Sequence, residues 1–208
     1  LSAGASLVKL DLTDNNVNQE GGFALAGMLF KQPNLKHVNL EATSLGPKAA
    51  IQVAQALASG CPQLEYLNLN ACDITPEGVP QVAQAISAMK NLKTLKISEN
   101  ELGDLGIAQI CVALKMAGCP VVELDVSTNE LVEKGAVAAA KLAASRAGFT
   151  SLNLDGNYIS DEGVEEVKSI MEGAGIASAL MPMEENDADM ADDVDDDNAE
   201  GLDNLLAH

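Results

Sequence analysis

One pattern recurs six times along these 208 residues, and its spacing decides what the chain can become. Written as L-x-x-L-x-L-x-x-N-x-L, with Val, Ile or Phe replacing some leucines, it begins at Leu7, Leu35, Leu64, Leu92, Val121 and Phe149. The steps are alternately 28 and 29 residues. A ruler that regular calls for a stack of equal units, none of which can bury its apolar face alone. Within each copy the leucines alternate, so a short strand points them inward and turns the residues between them outward. The ninth position holds Asn15, Thr43, Cys72, Asn100, Asn129 and Asn157. A small hydrogen-bonding side chain there can satisfy backbone groups where the chain turns off the strand.

A helix is expected in the second half of each unit. Its start is marked by Gly46-Pro47, Thr75-Pro76-Glu77 and Ser160-Asp161-Glu162. Its buried face shows in the pairs Leu25/Leu29, Val53/Leu57, Val82/Ile86 and Ile110/Leu114, with Ala139/Ala143 in the fifth unit. Gly21, Ala49, Gly78, Gly106, Gly135 and Gly163 stand fourteen residues after each start, where the helix is expected to pack closely on the strand layer. The units are identified as leucine-rich repeats of the long, helix-containing kind. The expected fold is an α/β solenoid: a horseshoe with a parallel sheet on the concave face and helices on the convex face. The repeat domain spans 1–183. It is expected to open with Leu1–Ser6 as the remnant of an earlier helix, in a chain that is a fragment or has been processed. It closes with Ala177–Met183 as an edge strand that Pro182 would suit.

Charge separates the rest. Residues before Glu184 hold twenty acids and all twelve bases, whereas 184–208 hold eleven acids and no base. The segment 184–208 is expected to be a disordered acidic tail. A formal charge of −19 argues against nucleic acid, whose phosphates need clustered cations. No apolar run reaches the roughly 18–20 residues that span a bilayer, so membrane insertion is not expected. Cys61, Cys72, Cys111 and Cys119 lie apart and the two histidines are His37 and His208, so the thiols are expected to be reduced and buried, with no metal site and no cofactor. No phosphate-binding loop, nucleophile elbow or paired-histidine zinc motif is present, so the chain is not expected to be an enzyme.

What the fold offers instead is a surface. The outward strand positions form three ladders: Lys9, His37, Tyr66, Thr94, Glu123, Ser151; then Asp11, Asn39, Asn68, Lys96, Asp125, Asn153; then Thr13, Glu41, Asn70, Ser98, Ser127, Asp155. Lys9, His37, Tyr66, Asn68, Asn70, Lys96, Glu123, Asp125 and Asp155 are the candidate protein-binding residues. Tyr66 is the expected anchor, because aromatics are enriched among binding hot spots.

The stretch Leu67-Asn68-Leu69-Asn70-Ala71-Cys72-Asp73-Ile74-Thr75-Pro76-Glu77-Gly78 resembles the ribonuclease-inhibitor class of repeat. Repeats that run into Met181-Pro182-Met183-Glu184-Glu185-Asn186-Asp187 and an Asp-rich tail resemble the Ran GTPase-activating proteins, of plant or algal type. That resemblance implies activation of GTP hydrolysis on a Ran-type GTPase in nucleocytoplasmic transport. It implies that the activator orders the GTPase's own catalytic glutamine and inserts no arginine. It also implies more repeats than six, with the asparagine and basic contacts to Ran in earlier ones, so no catalytic residue is carried onto this chain. The single arginine, Arg146, reads as a helix-end cation. The expected location is the cytoplasm, at the nuclear envelope. Two alternatives stand beside this reading: an interaction module that binds a protein without activating it, and an acidic chaperone that uses the tail against basic surfaces.

Overall fold

The computed structural model describes residues 6–193 and Leu205. Strand β1 (Lys9–Asp11) leads to helix α1 (Asn18–Leu29), β2 (His37–Asn39) to α2 (Gly46–Gly60), and β3 (Tyr66–Asn68) to a single 3-10 turn and α3 (Val79–Ser87). The same order continues through β4 (Thr94–Lys96), α4 (Gly103–Met116), β5 (Glu123–Asp125), α5 (Lys134–Ala144), β6 (Ser151–Asn153) and α6 (Asp161–Gly173). The six strands form one sheet in sequence order, and every pair is parallel. Register follows the repeat: Lys9, His37, Tyr66, Thr94, Glu123 and Ser151 stand side by side, as do Asp11, Asn39, Asn68, Lys96, Asp125 and Asn153.

The core lies between sheet and helices. Val38, Leu67, Leu95 and Leu152 at the strand centres are completely buried, and so are Val53, Leu57, Val82, Ile86 and Leu114 from the helices. Each such side chain contributes roughly 1.5–3 kcal/mol by leaving water. In α5 alanine does this work: Ala136, Ala139, Ala140 and Ala143 have no exposure.

Burial also creates a demand for hydrogen bonds. The turn that leaves each strand sits inside the stack, and its amides need partners. The ninth-position side chains supply them across coils. Asn100 Oδ1 accepts the N–H groups of Cys72 and Ile74 in the preceding coil, at 3.2 and 2.9 Å. Its Nδ2 donates back to Leu69 O at 3.0 Å and to Ser98 O at 2.8 Å. Asn157 repeats the arrangement on Asn129 N and Leu131 N, at 2.8 and 3.1 Å. Where Cys72 replaces the amide, its Sγ donates to Leu40 O at 3.1 Å.

The two ends differ. Asn15 is exposed and its amide reaches only Leu12 O and Thr13 O of its own coil. Leu10 and Leu12 beside it are only half-buried, and β1 pairs on one side only. At the other end Asn186 takes the ladder position: its Oδ1 accepts Ile159 N at 3.0 Å and its Nδ2 donates to Ile159 O at 2.9 Å.

Three expectations are corrected. Ala177–Met183 is not a strand: Ala177–Ala179 forms a 3-10 turn and Leu180 makes one isolated bridge to Leu152. The repeat unit does not stop at 183, because Glu185 N bonds Asp155 Oδ1 and Asp187 N bonds Asn157 O, and a second 3-10 turn spans Ala188–Asp193. Disorder expected for 194–204 and 206–208, and the helix remnant expected within Leu1–Ser6, lie outside the described residues except for Ser6; Leu205 packs half-buried against the core. Gly78, Gly106, Gly135 and Gly163, finally, approach the preceding coil rather than the strand layer. A Cβ on Gly135 would sit 2.8 Å from the Asp104 Cα, and in the first coil the tight position is Gly22, against Ala49, rather than Gly21.

Replacing Asn100 with alanine strands several buried backbone groups at about 1–3 kcal/mol each. Urea unfolding of Asn100→Ala is expected to show a loss of about 3 kcal/mol or more, against under about 1 kcal/mol for Asn15→Ala. Equal losses would mean that the amide ladder does not hold the coils together.

Candidate protein-binding surface

The concave sheet presents the three ladders, yet not all of its side chains are free. Asp11, Asn39, Asn68, Asp125 and Asn153 each accept, through Oδ1, the backbone N–H two residues on, at 2.9–3.2 Å. These are Asx turns, and they shape the exit from each strand. Thr13 Oγ1 adds a 2.8 Å bond to Asp11, which holds that carboxyl below its usual range, helped by the Thr13 amide and by Lys9.

Asn68 and Asn70 are buried, at 2% and 7% exposure, which removes both from the set of accessible contacts. Asn68 Nδ2 donates to Glu41 Oε2 at 2.9 Å. Asn70 Oδ1 accepts Ser98 N at 2.8 Å. That second bond explains the one break in the ladder. Lys96 cannot cap Ser98 as an Asx residue would, and the preceding coil's Asn70 does so instead. Lys96 is thereby released from any structural duty. It lines a shallow concavity with Glu123, Asp125, Ser151, Asn153 and Met181.

At the other end of the first ladder the rings of His37 and Tyr66 stack with centroids 4.0 Å apart and planes 7° from parallel. Desolvation and then the charge of Lys9 push the His37 pKa down, so the imidazole is neutral near pH 7 and the plate is uncharged. Lys9, Glu123 and the plate are in reach of a partner; Asp155 is half-buried, and one of its oxygens is held by Glu185 N.

Charge is split across the sheet. The turns that follow the strands (13–17, 41–46, 70–75, 98–103, 127–133, 155–160) hold eight carboxylates and no Lys or Arg. The segments that enter β2 to β6 (31–36, 60–65, 88–93, 115–122, 145–150) hold six cations and one acid, Glu65. Glu65 sits between Lys93 and Lys36, at 2.7 and 3.2 Å, and both lower its pKa. The exposed turn acids Asp73, Glu99, Glu101 and Glu130 were not among the candidates read from the sequence. Their signal was there, as the absence of any base after each strand.

Other groups are accounted for by structure. Arg146 follows α5, but its guanidinium donates to Leu114 O in the preceding helix α4, at 2.8 Å. It therefore caps the neighbouring helix rather than projecting to a ligand. Among the described residues no cluster of three metal-ligating side chains occurs, and no helix is long and apolar enough to cross a membrane.

A family profile described as "Leucine Rich repeat" matches residues 5–26, 60–79, 88–111 and 149–167. In structure the chain is similar to the tropomodulin C-terminal domain of Caenorhabditis elegans, with a TM-score of 0.60, 13% identity, and coverage of 74% of this chain and 93% of that one. The fold is a leucine-rich repeat. Over 104 residues, half of its length, the chain is 38% identical to RAN GTPase-activating protein 2 of Arabidopsis thaliana, of which it spans 19%. Over 178 residues, 85% of its length, it is 28% identical to ribonuclease inhibitor of Sus scrofa, of which it spans 39%. The leucine-rich repeat here thus covers well under half the length of either relative.

The four cysteines are free and buried. Burial disfavours the thiolate and pushes Cys61 and Cys72 up to about 11 and Cys111 to about 12, with Cys119 also raised. A thiol-reactive dye at about pH 8 is expected to modify fewer than about one thiol in ten in the native protein, and all of them once urea unfolds it. Rapid native modification would place at least one thiol outside the core.

Proposed function

We propose that this chain is part of an activator of a Ran-type GTPase, acting by protein–protein binding and with no arginine finger. The observation that carries the reading is the 38% identity to RAN GTPase-activating protein 2 over half of the chain. Two structural facts support it. The concave sheet offers a rigid, polar face with a stacked aromatic pair, suited to a protein rather than to a small molecule. The one arginine of this chain is committed to a helix end, which supports a reading in which this part of the activator inserts no arginine into the nucleotide site. The proposed role is regulatory, with catalysis left to the GTPase, and the proposed place of action is the cytoplasm at the nuclear envelope.

A second reading has its own support. The similarity to ribonuclease inhibitor extends over 85% of the chain, more than the GTPase activator match covers. On that reading the surface binds a protein and changes no rate of GTP hydrolysis.

Single-turnover GTP hydrolysis by a Ran-type GTPase separates the two. Acceleration is expected with the longest protein that contains this chain. Arg146→Ala is expected to keep that acceleration within about threefold, whereas loss of a true arginine finger costs about 10³–10⁵. The same substitution is expected to cost about 1–2 kcal/mol of stability, through the lost bond to Leu114 O. Tight binding without acceleration would favour the inhibitor-like reading.

A further inference from the structure

The concave sheet is unpartnered, and its charge is not distributed at random. Along β2, β4, β5 and β6 the chain runs from a cation-bearing entry to a carboxylate-bearing exit, while the entry to β3 carries only Glu65, which pairs with the lysines of its two neighbours. Asp73, Glu99, Glu101 and Glu130 are exposed at the exit rim, and among the described residues none forms an ion pair within 4.0 Å or a side-chain hydrogen bond. The entry rim behaves differently. Lys36 and Lys93 are tied to Glu65, Lys90 donates to Ser87 O and Ala117 O, and Arg146 is bound to Leu114 O. Most entry-rim cations are thus used in holding the solenoid together, while the exit-rim acids stay available. Between the rims lies the neutral His37–Tyr66 plate, with its planes 7° from parallel. Such a plate can bury an anchor without paying to desolvate a charge.

We infer that the concave sheet seats a folded protein with a basic contact surface in one fixed orientation. The partner's anchor rests on the His37–Tyr66 plate, and its basic side lies over the exit rim at Asp73, Glu99, Glu101 and Glu130. Charge complementarity selects this occupant: a partner with an acidic contact surface would meet unpaired carboxylates at the exit rim and find four of the six entry-rim cations already engaged. The inference deepens the GTPase-activator reading and rests on it for the choice of first partner.

The test compares two pairs of exposed reversals in the full chain, with circular dichroism confirming the fold. Glu99→Lys with Glu130→Lys changes the exit rim; Lys31→Glu with Lys115→Glu changes the entry side. Binding to a Ran-type GTPase loaded with a non-hydrolysable GTP analogue is measured from about 50 to about 300 mM salt. The exit-rim pair is expected to weaken binding at least about tenfold at the lowest salt and to flatten the salt dependence. The entry-side pair is expected to stay within about twofold. Equal and opposite effects from the two pairs would show that only net charge matters, and would overturn the inference, as would an exit-rim pair that binds like the parent.

If the parent chain binds no Ran-type GTPase, the GTPase reading falls by itself. The docking surface is then read with lysozyme, a small basic protein, by carbodiimide cross-linking at low salt. Cross-links to Glu99, Glu101 or Glu130 support the rim; cross-links confined to acids from Glu184 onward overturn it.

Discussion

From the second coil on, each coil of this protein depends on a side chain that belongs to the segment after it. The short strands pair in parallel, but each chain then turns into the interior, where its amides and carbonyls have neither strand nor water to bond. Asn100 and Asn157 answer that need with both ends of the amide, taking two N–H groups from the coil before and returning an N–H to its carbonyl. A hydrophobic core of leucine and alanine is not directional. The amide ladder is, and it fixes the register that places every other residue. Because it demands one such group per turn at a constant offset, it also fixes the period near 28 residues.

Much of this was legible beforehand, and the misses share a cause. The spacing of leucines located all six strands and the residues that stand beside one another in them. Strand alternation also sorted side chains correctly into inward and outward. Outward, however, is not the same as exposed. Asn68 and Asn70 point away from the core, yet neighbouring side chains cover them and backbone N–H groups claim their oxygens. Periodicity carries no information about such local bonds. The closing residue was missed for a related reason: a search keyed to leucines fails after residue 177, although Asn186 still holds the ladder position. The polar element of the repeat outlasts the apolar one.

The concave surface follows from the same division of labour. Where the ladder of Asx turns is complete, side chains serve the backbone. Where it breaks, at Lys96, a side chain is set free because Asn70 has taken over its task. Function on this scaffold therefore has room at positions that the backbone does not need, among them the stacked pair His37 and Tyr66, Lys9, Lys96, Glu123 and the exit-rim acids. A small set of free positions on a stiff sheet favours recognition by shape and charge over chemistry.

The difference between the two ends gives the molecule a polarity that its repeating plan lacks. Asn186 bolts the last coil, whereas the first keeps an unshared amide and half-bare leucines. An unshared amide and a one-sided strand are what a further coil would bind, so the described stack can be lengthened at β1 by the same bonds that join its own coils.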